Sequence, residues 1–170
     1  MTAEGVRTEF GSLEDFRKGA VEIIDDDPRN YVFSNIFEVA AAAAPFERVA
    51  VAKNFEYVIE AMRAEGRSCW FTCTHDEFAL CMDGEVEVRF VKLAPGQVPD
   101  EAAEGAQLLS GEAPVGTAMG RVKLGRGHMA LLPVGAAYAF EASKPAAILI
   151  QTIEGGLTLQ RWAEICQTQA

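Results

Sequence analysis

Apolar positions along this chain come in short runs, each closed within a few residues by glycine, proline or a group of acids. That rhythm predicts a sheet of short strands rather than a set of long helices. Aromatic and β-branched residues dominate over residues 31–39 and return over 49–52, both read as β-structure. Residues 56–65 fit two periods, since Tyr57, Ala61 and Ala64 make a helical stripe while Tyr57, Ile59 and Ala61 make one face of a strand. The strand is preferred: Gly66 closes the segment, and the next runs, at Trp70 and over 78–82, keep the spacing of an all-β protein. Asp83-Gly84 then reads as a hairpin turn, because glycine takes positive φ without steric cost, and residues 85–91 alternate with Val86, Val88 and Phe90 on one face. Four further runs, 121–124, 129–132, 138–140 and 146–153, complete a sheet of many short strands.

The flanks carry different signals. Ser12 and Asp15 ahead of Phe16 read as the capped start of a short helix that Gly19 stops, inside an N-terminal extension over 1–30. Asp25, Asp26, Asp27 and Pro28 close the apolar run 20–24 as a solvated turn; three consecutive carboxylates point in different directions and converge poorly on a cation. Residues 94–119 hold three of the seven prolines, with glycines and scattered acids, and read as an insertion loop. Thr158 caps a final helix over 157–167 in which Leu159, Trp162 and Ile165 share a face. That face docks on the chain's own sheet or, through Trp162, anchors a subunit interface.

Composition narrows the function classes. With 170 residues, 49% hydrophobic and 24% charged, the chain is expected to form one globular domain. Its net charge of −10, from 25 acidic and 15 basic residues, repels nucleic acid and anionic membranes. No apolar stretch approaches the roughly 20 residues of a membrane span. Residues 1–10 carry Glu4, Arg7 and Glu9 and no apolar core of a signal peptide, so the expected compartment is cytoplasmic. There the four cysteines, Cys69, Cys73, Cys81 and Cys166, are expected as free thiols, and their spacing lacks the paired pattern of structural zinc. The two histidines, His75 and His128, leave little room for metal or acid–base chemistry.

Two segments resemble the motifs of the cupin superfamily, small β-barrels or jelly rolls that usually hold a metal near the barrel mouth. The first motif runs His-x-His, then glutamate, then glycine seven residues on; Glu77 and Gly84 stand in that relation. The second runs from glycine through Pro-x-Gly to a third histidine; Gly127, Pro133 and Gly135 satisfy it and put Tyr138 in the histidine's place. Counting back from Glu77 puts Phe71 and Cys73, or Trp70 and Thr72, at the His-x-His positions. The ligand histidines are therefore missing while the scaffold turns remain. His75 lies between Cys73 and Glu77 and shares their face of a strand, which makes it a displaced ligand or a barrel-lining residue. His128, five residues before Pro133 at strand rise, falls about 16 Å from that turn and at the other end from Tyr138.

A narrower resemblance runs from about Leu13 to Trp162 and on to Cys166. The segments beginning Tyr31-Val-Phe-Ser-Asn, Phe46-Glu-Arg-Val-Ala, His75-Asp-Glu-Phe-Ala and Gly125-Arg-Gly-His-Met look like the small (alpha) subunit of two-component hydroquinone 1,2-dioxygenases. The resemblance implies ring opening of a para-diphenol with dioxygen to 4-hydroxymuconic semialdehyde during bacterial breakdown of aromatics. It further implies Fe(II) in a larger partner subunit, none in this chain, and two copies of each subunit. Under it, Trp70, His75, Glu77, Tyr138 and Trp162 are candidates for a shared pocket or interface, Trp70 first because an indole offers an aromatic wall to a phenol. No catalytic residue follows for this chain. Two other classes stay open: a stand-alone ligand-binding cupin, and a metal-bearing cupin enzyme using Cys73, His75 and Glu77, with Tyr138 as a further ligand.

Overall fold

The structure, a computed structural model, describes residues 11–17, 25, 35–99, 102–111 and 113–161. Within these, one helix, α1 (Ile36–Ala42), precedes ten strands in a single sheet. They are β1 (Arg48–Asn54), β2 (Tyr57–Arg67), β3 (Phe71–Thr72), β4 (Glu77–Asp83), β5 (Glu85–Leu93), β6 (Gln107–Leu108), β7 (Gly116–Gly125), β8 (Met129–Leu132), β9 (Ala136–Ile153) and β10 (Thr158–Leu159). The sheet curls into a half-barrel of the cupin type, so the expectation of a mainly β, cupin-like fold holds.

The organising element is β9, an 18-residue strand where the sequence pattern had suggested two short ones. The apolar runs at Tyr138 and Ala146 are joined through Pro145, which lacks an amide proton to donate. It is accommodated because the ladder to β2 shifts register between Ala64 and Gly66, opposite the joint. Along one side of β9 lie β2, from Tyr57 opposite Ile153 to Arg67 opposite Glu141, and then β3, with Phe71 opposite Tyr138. Along the other side lie β4, from Phe78 opposite Gln151, and then β5, ending with Lys92 opposite Ala136.

Asp83-Gly84 is accordingly not a hairpin. Strands β4 and β5 pair with β9 in succession and not with each other, so this dipeptide is a kink in one continuous path. Gly84 takes φ +77, and a Cβ there would sit 2.7 Å from the Ala146 Cβ; glycine is needed for contact with β9 as well as for the turn.

Other expectations change at the flanks. The β-like run 31–39 ends in helix α1, whose Asn35 cap accepts the Phe37 N–H at 2.9 Å. The alanines that follow raise helix propensity enough to outweigh Ile36 and Val39; residues 31–34 lie outside the described residues. Ser12 and Asp15 form a bend closed by the Asp15 N–H on the Ser12 hydroxyl (3.0 Å), with no helix over 11–17. Gly19, the run 20–24, Asp26, Asp27 and Pro28 lie outside the described residues. The 94–119 segment is not all loop: Gln107 and Leu108 pair with β3, and β7 begins at Gly116. Thr158 does not open a helix at its own position, because it and Leu159 pair in parallel with Arg48 and Val49. Trp162, Ile165 and Cys166 lie outside the described residues.

The concave face packs Met62, Ala79, Cys81, Val88, Leu132, Tyr138, Phe140, Ile148 and Ile150 into the main core. On the opposite face α1 covers Ala61, Ala147 and Leu149, and beyond it the face stays largely apolar and exposed. Ile59, Gln151, Phe78 and Leu131 form one cross-strand row, and Leu149, Leu80 and Met129 the next. Phe78, Leu131 and Met129 keep 42%, 47% and 60% of their surface.

Candidate functional site

At the point where the cupin turns direct a metal site, the interior holds a polar cluster centred on Arg48. Strand β1, between β10 and β2, contributes Arg48, whose side chain is 2% exposed. Glu60 comes from β2 on the same face as Val58 and Met62, Glu77 from the first position of β4, and Tyr138 from β9. The guanidinium donates through Nε to Glu60 Oε2 (2.5 Å), through Nη2 to Glu77 Oε1 (2.6 Å) and through Nη1 to the Tyr138 oxygen (3.1 Å). The Tyr138 hydroxyl in turn donates to Glu77 Oε2, and the Thr158 hydroxyl to Glu60 Oε1 at 2.6 Å. Phe71 closes the ring: it stacks on Tyr138 with centroids 5.8 Å apart, and the Arg48 guanidinium lies 5.8 Å from its centre.

The electrostatics follow from burial. Burial by itself would lower the Arg48 guanidinium, but Tyr138, Glu77 and Glu60 hold it well above its ordinary value. Burial, with Glu77 adding to it, pushes the Tyr138 phenol well above its usual range. A buried ion pair is tolerable only when its remaining protons and lone pairs are bonded, and here the donors and acceptors interlock.

Beside this cluster, Cys73, His75 and Glu77 bring one ligand atom each to within 4.8 Å of one another, as expected, although residues 73–76 form a bend between β3 and β4 and not the strand whose parity suggested it. The donor set nevertheless does not fit a resident metal. Both Glu77 oxygens accept hydrogen bonds from Arg48 and Tyr138. His75 Nε2 accepts the Ile153 N–H at 3.1 Å and sits 2.9 Å from the Thr152 hydroxyl, so its lone pair is engaged. This selects the tautomer with hydrogen on Nδ1, 3.1 Å from Cys73 Sγ. Burial, reinforced by Glu77, pushes the Cys73 thiol up to about 11, whereas a metal takes the thiolate.

The other candidates lie apart from the cluster. His128 Nδ1 accepts the Gly125 N–H at 3.1 Å in the turn before β8. Trp70 is half-buried on the segment leading into β3, and its carbonyl accepts the Leu109 N–H at 2.9 Å. Cys69 is exposed, Cys73 and Cys81 are buried, and all three are free thiols. Sequence reasoning missed Arg48 and Glu60. The available signal was parity, since Glu60 alternates with Val58, Met62 and Ala64, all buried.

These features define the class. Motif glycines Gly84, Gly127 and Gly135 all take positive φ, while Glu77 and Tyr138 face the interior of the curled sheet. The protein is a cupin. No protein-family model and no curated protein matches the chain. Among solved structures, it is 65% identical to a chain of hydroquinone 1,2-dioxygenase from Sphingomonas sp. TTNP3 with 4-hydroxybenzoate bound, covering 98% of this chain and 100% of that one with a TM-score of 0.92. To a chain of hydroquinone 1,2-dioxygenase PnpCD in complex with Cd2+ and 4-hydroxybenzonitrile it is 55% identical, over 98% and 100% of the two chains, with a TM-score of 0.88. The same PnpCD enzyme, in complex with Fe3+, holds a longer chain that shares the fold: 10% identity, 89% of this chain against 42% of that one, TM-score 0.58. The chain belongs to the hydroquinone 1,2-dioxygenase family of ring-cleaving oxidoreductases.

Proposed function

We propose that this chain is the small subunit of a two-component hydroquinone 1,2-dioxygenase, holding no metal itself, and that Fe(II) resides in a larger partner with two copies of each subunit per assembly. The reaction opens a para-diphenol with dioxygen to 4-hydroxymuconic semialdehyde. The observation that carries this reading is the pairing of chains in PnpCD. This chain matches one of them along its whole length at 55% identity, and a second, more than twice as long, accompanies it. The ligands bound by the two similar enzymes, 4-hydroxybenzoate and 4-hydroxybenzonitrile, are phenols substituted para to the hydroxyl, which is the substrate class proposed.

Two features of this chain support the subunit role. Glu77 and Tyr138 are fully buried and bonded to protein groups, so the barrel interior offers no open substrate cavity at the motif positions. The exposed apolar row of Ile59, Phe78 and Leu131 offers a surface for a partner to cover. Trp70 and Trp162 are proposed to meet the partner near the shared pocket, with His75 held behind by Thr152 and Ile153.

The test is to express this chain alone and together with a large subunit of the kind that the longer PnpCD chain represents, then measure iron per chain and hydroquinone consumption. Ring cleavage and iron are expected only with both chains. Tight iron and turnover by this chain alone would refute the reading, and a stable monomer that ignores the large subunit would favour a stand-alone binding cupin.

A further inference from the structure

Three of the positions where the cupin motifs put metal ligands contact one side chain. In the register that counts Phe71 and Cys73 back from Glu77, the Arg48 guanidinium lies over Phe71 at 5.8 Å and donates to Glu77 at 2.6 Å and to the Tyr138 oxygen at 3.1 Å. It is bracketed on its far side by Glu60. A planar cation with five N–H donors thus faces oxygen acceptors and an aromatic ring, where a divalent ion would face imidazoles and a carboxylate.

We propose that Arg48 is the resident cation of this barrel: its guanidinium takes the place of the cupin metal, bridges Glu77 and Glu60, and by occupying their lone pairs keeps a divalent ion from the Cys73, His75 and Glu77 group. The scaffold is of the metal type, and this guanidinium is the first reason its donor set cannot take a metal; the Tyr138 hydroxyl on Glu77 and the Ile153 N–H on His75 add to it. The replacement also explains the changed motif residues. Imidazoles would repel or compete with a guanidinium, whereas a phenol can accept from Arg48 and donate to Glu77 at once. Once Arg48 is gone, two buried carboxylates are left without their cation, next to a thiol and an imidazole whose ligand atoms already lie within 4.8 Å of one another and of Glu77. That set suits a tetrahedral or distorted octahedral ion with sulfur, nitrogen and oxygen donors.

This inference goes beyond the subunit reading, and its readout is metal per small chain, which does not depend on ring cleavage. The experiment compares wild type, Arg48→Ala and Arg48→Lys, each purified with its large subunit and dialysed against Co2+. Elemental analysis and the near-ultraviolet thiolate-to-cobalt band are recorded. Arg48→Ala is expected to take about one more Co2+ per small chain than wild type and to show the band. The band should disappear in Arg48→Ala combined with Cys73→Ser. Arg48→Lys, which keeps a cation, is expected to behave as wild type. A wild-type complex that shows the Cys73-dependent band would overturn the proposal, as would Arg48→Ala gaining no Co2+. If Arg48→Ala is insoluble without added metal, recovery of soluble protein when Co2+ is supplied during growth supports the replacement. Failure to recover with or without Co2+ overturns it.

Discussion

Removing a single oxygen atom tests the buried cluster most directly. Tyr138→Phe keeps the ring, so its stacking on Phe71 (centroids 5.8 Å) and its edge contact with Phe140 (5.6 Å) are retained. What is lost is one hydrogen bond accepted from Arg48 and one donated to Glu77, both involving a charged group and both inaccessible to water. Bonds to charged groups contribute about 1.5–3 kcal/mol each, and the direct Arg48–Glu77 contact survives, so the expected loss is about 2–4 kcal/mol rather than the full sum. For a domain of this size that is a fall of about 4–16 °C in midpoint by thermal unfolding. Combining Tyr138→Phe with Glu77→Gln should cost less than the two separate losses added together, by about 1–3 kcal/mol in a double-mutant cycle. There is also a pH signature. The buried phenol keeps its proton when folded, while an unfolded tyrosine loses it near pH 10, so this group adds stability below about pH 10 that is lost as pH rises further. Wild type should therefore destabilise more steeply than Tyr138→Phe above pH 10. A midpoint change under about 1 °C, with additive losses in the cycle, would show that the hydroxyl does not tie the cluster together.

Gly84→Val places a branched side chain at φ +77 against Ala146, and about 3 kcal/mol or more of destabilisation is expected in denaturant unfolding; an unchanged midpoint would contradict the kink geometry. Among the three described cysteines, Cys69 should be alkylated by iodoacetamide at pH 8 while Cys73 is spared, since with its thiol at about 11 only about a thousandth is thiolate at that pH. Peptide mass mapping reads this, and equal labelling of the two would refute the burial. Leu131→Asp, at the β8 end of the exposed apolar row, is expected to leave folding intact and weaken co-purification with the large subunit at least tenfold; unchanged recovery would place the interface elsewhere.

How much of this was legible in the sequence depended on whether the signal was local. The cupin turns at Gly84 and at Gly127 through Gly135 could be read because each needs only a few residues in order, and all three glycines take positive φ. The gathering of Cys73, His75 and Glu77 was expected from strand parity, but it is a bend over 73–76, between β3 and β4, that brings them together. The hairpin at Asp83-Gly84 failed for the opposite reason: what decides its pairing is β9, more than fifty residues on, whose length conceals itself as two apolar runs around Pro145. Arg48 was hidden in the same way. A lone arginine before a short apolar run has no local reason to be buried. Its partners Glu60, Glu77 and Tyr138 are 12, 29 and 90 residues away.

The cluster and the outer face together bear on where this barrel does its work. In a ligand-binding cupin the polar groups at the motif positions must face an open cavity, because recognition requires bonds left for the ligand. Here the guanidinium, Glu77 and Tyr138 are bonded to one another and shut from solvent, so those groups hold β1, β2, β4 and β9 together instead. Through Thr158, Glu60 adds β10 to the same knot. Such a knot also fixes register, since a one-residue slip of β1 would turn Arg48 outward and strand two buried carboxylates. Meanwhile Phe78, Leu131 and Met129, which could have been polar at no cost to the fold, remain apolar and exposed. A sealed interior with an apolar exterior is the arrangement expected of a barrel whose contribution is made at its surface, against another chain.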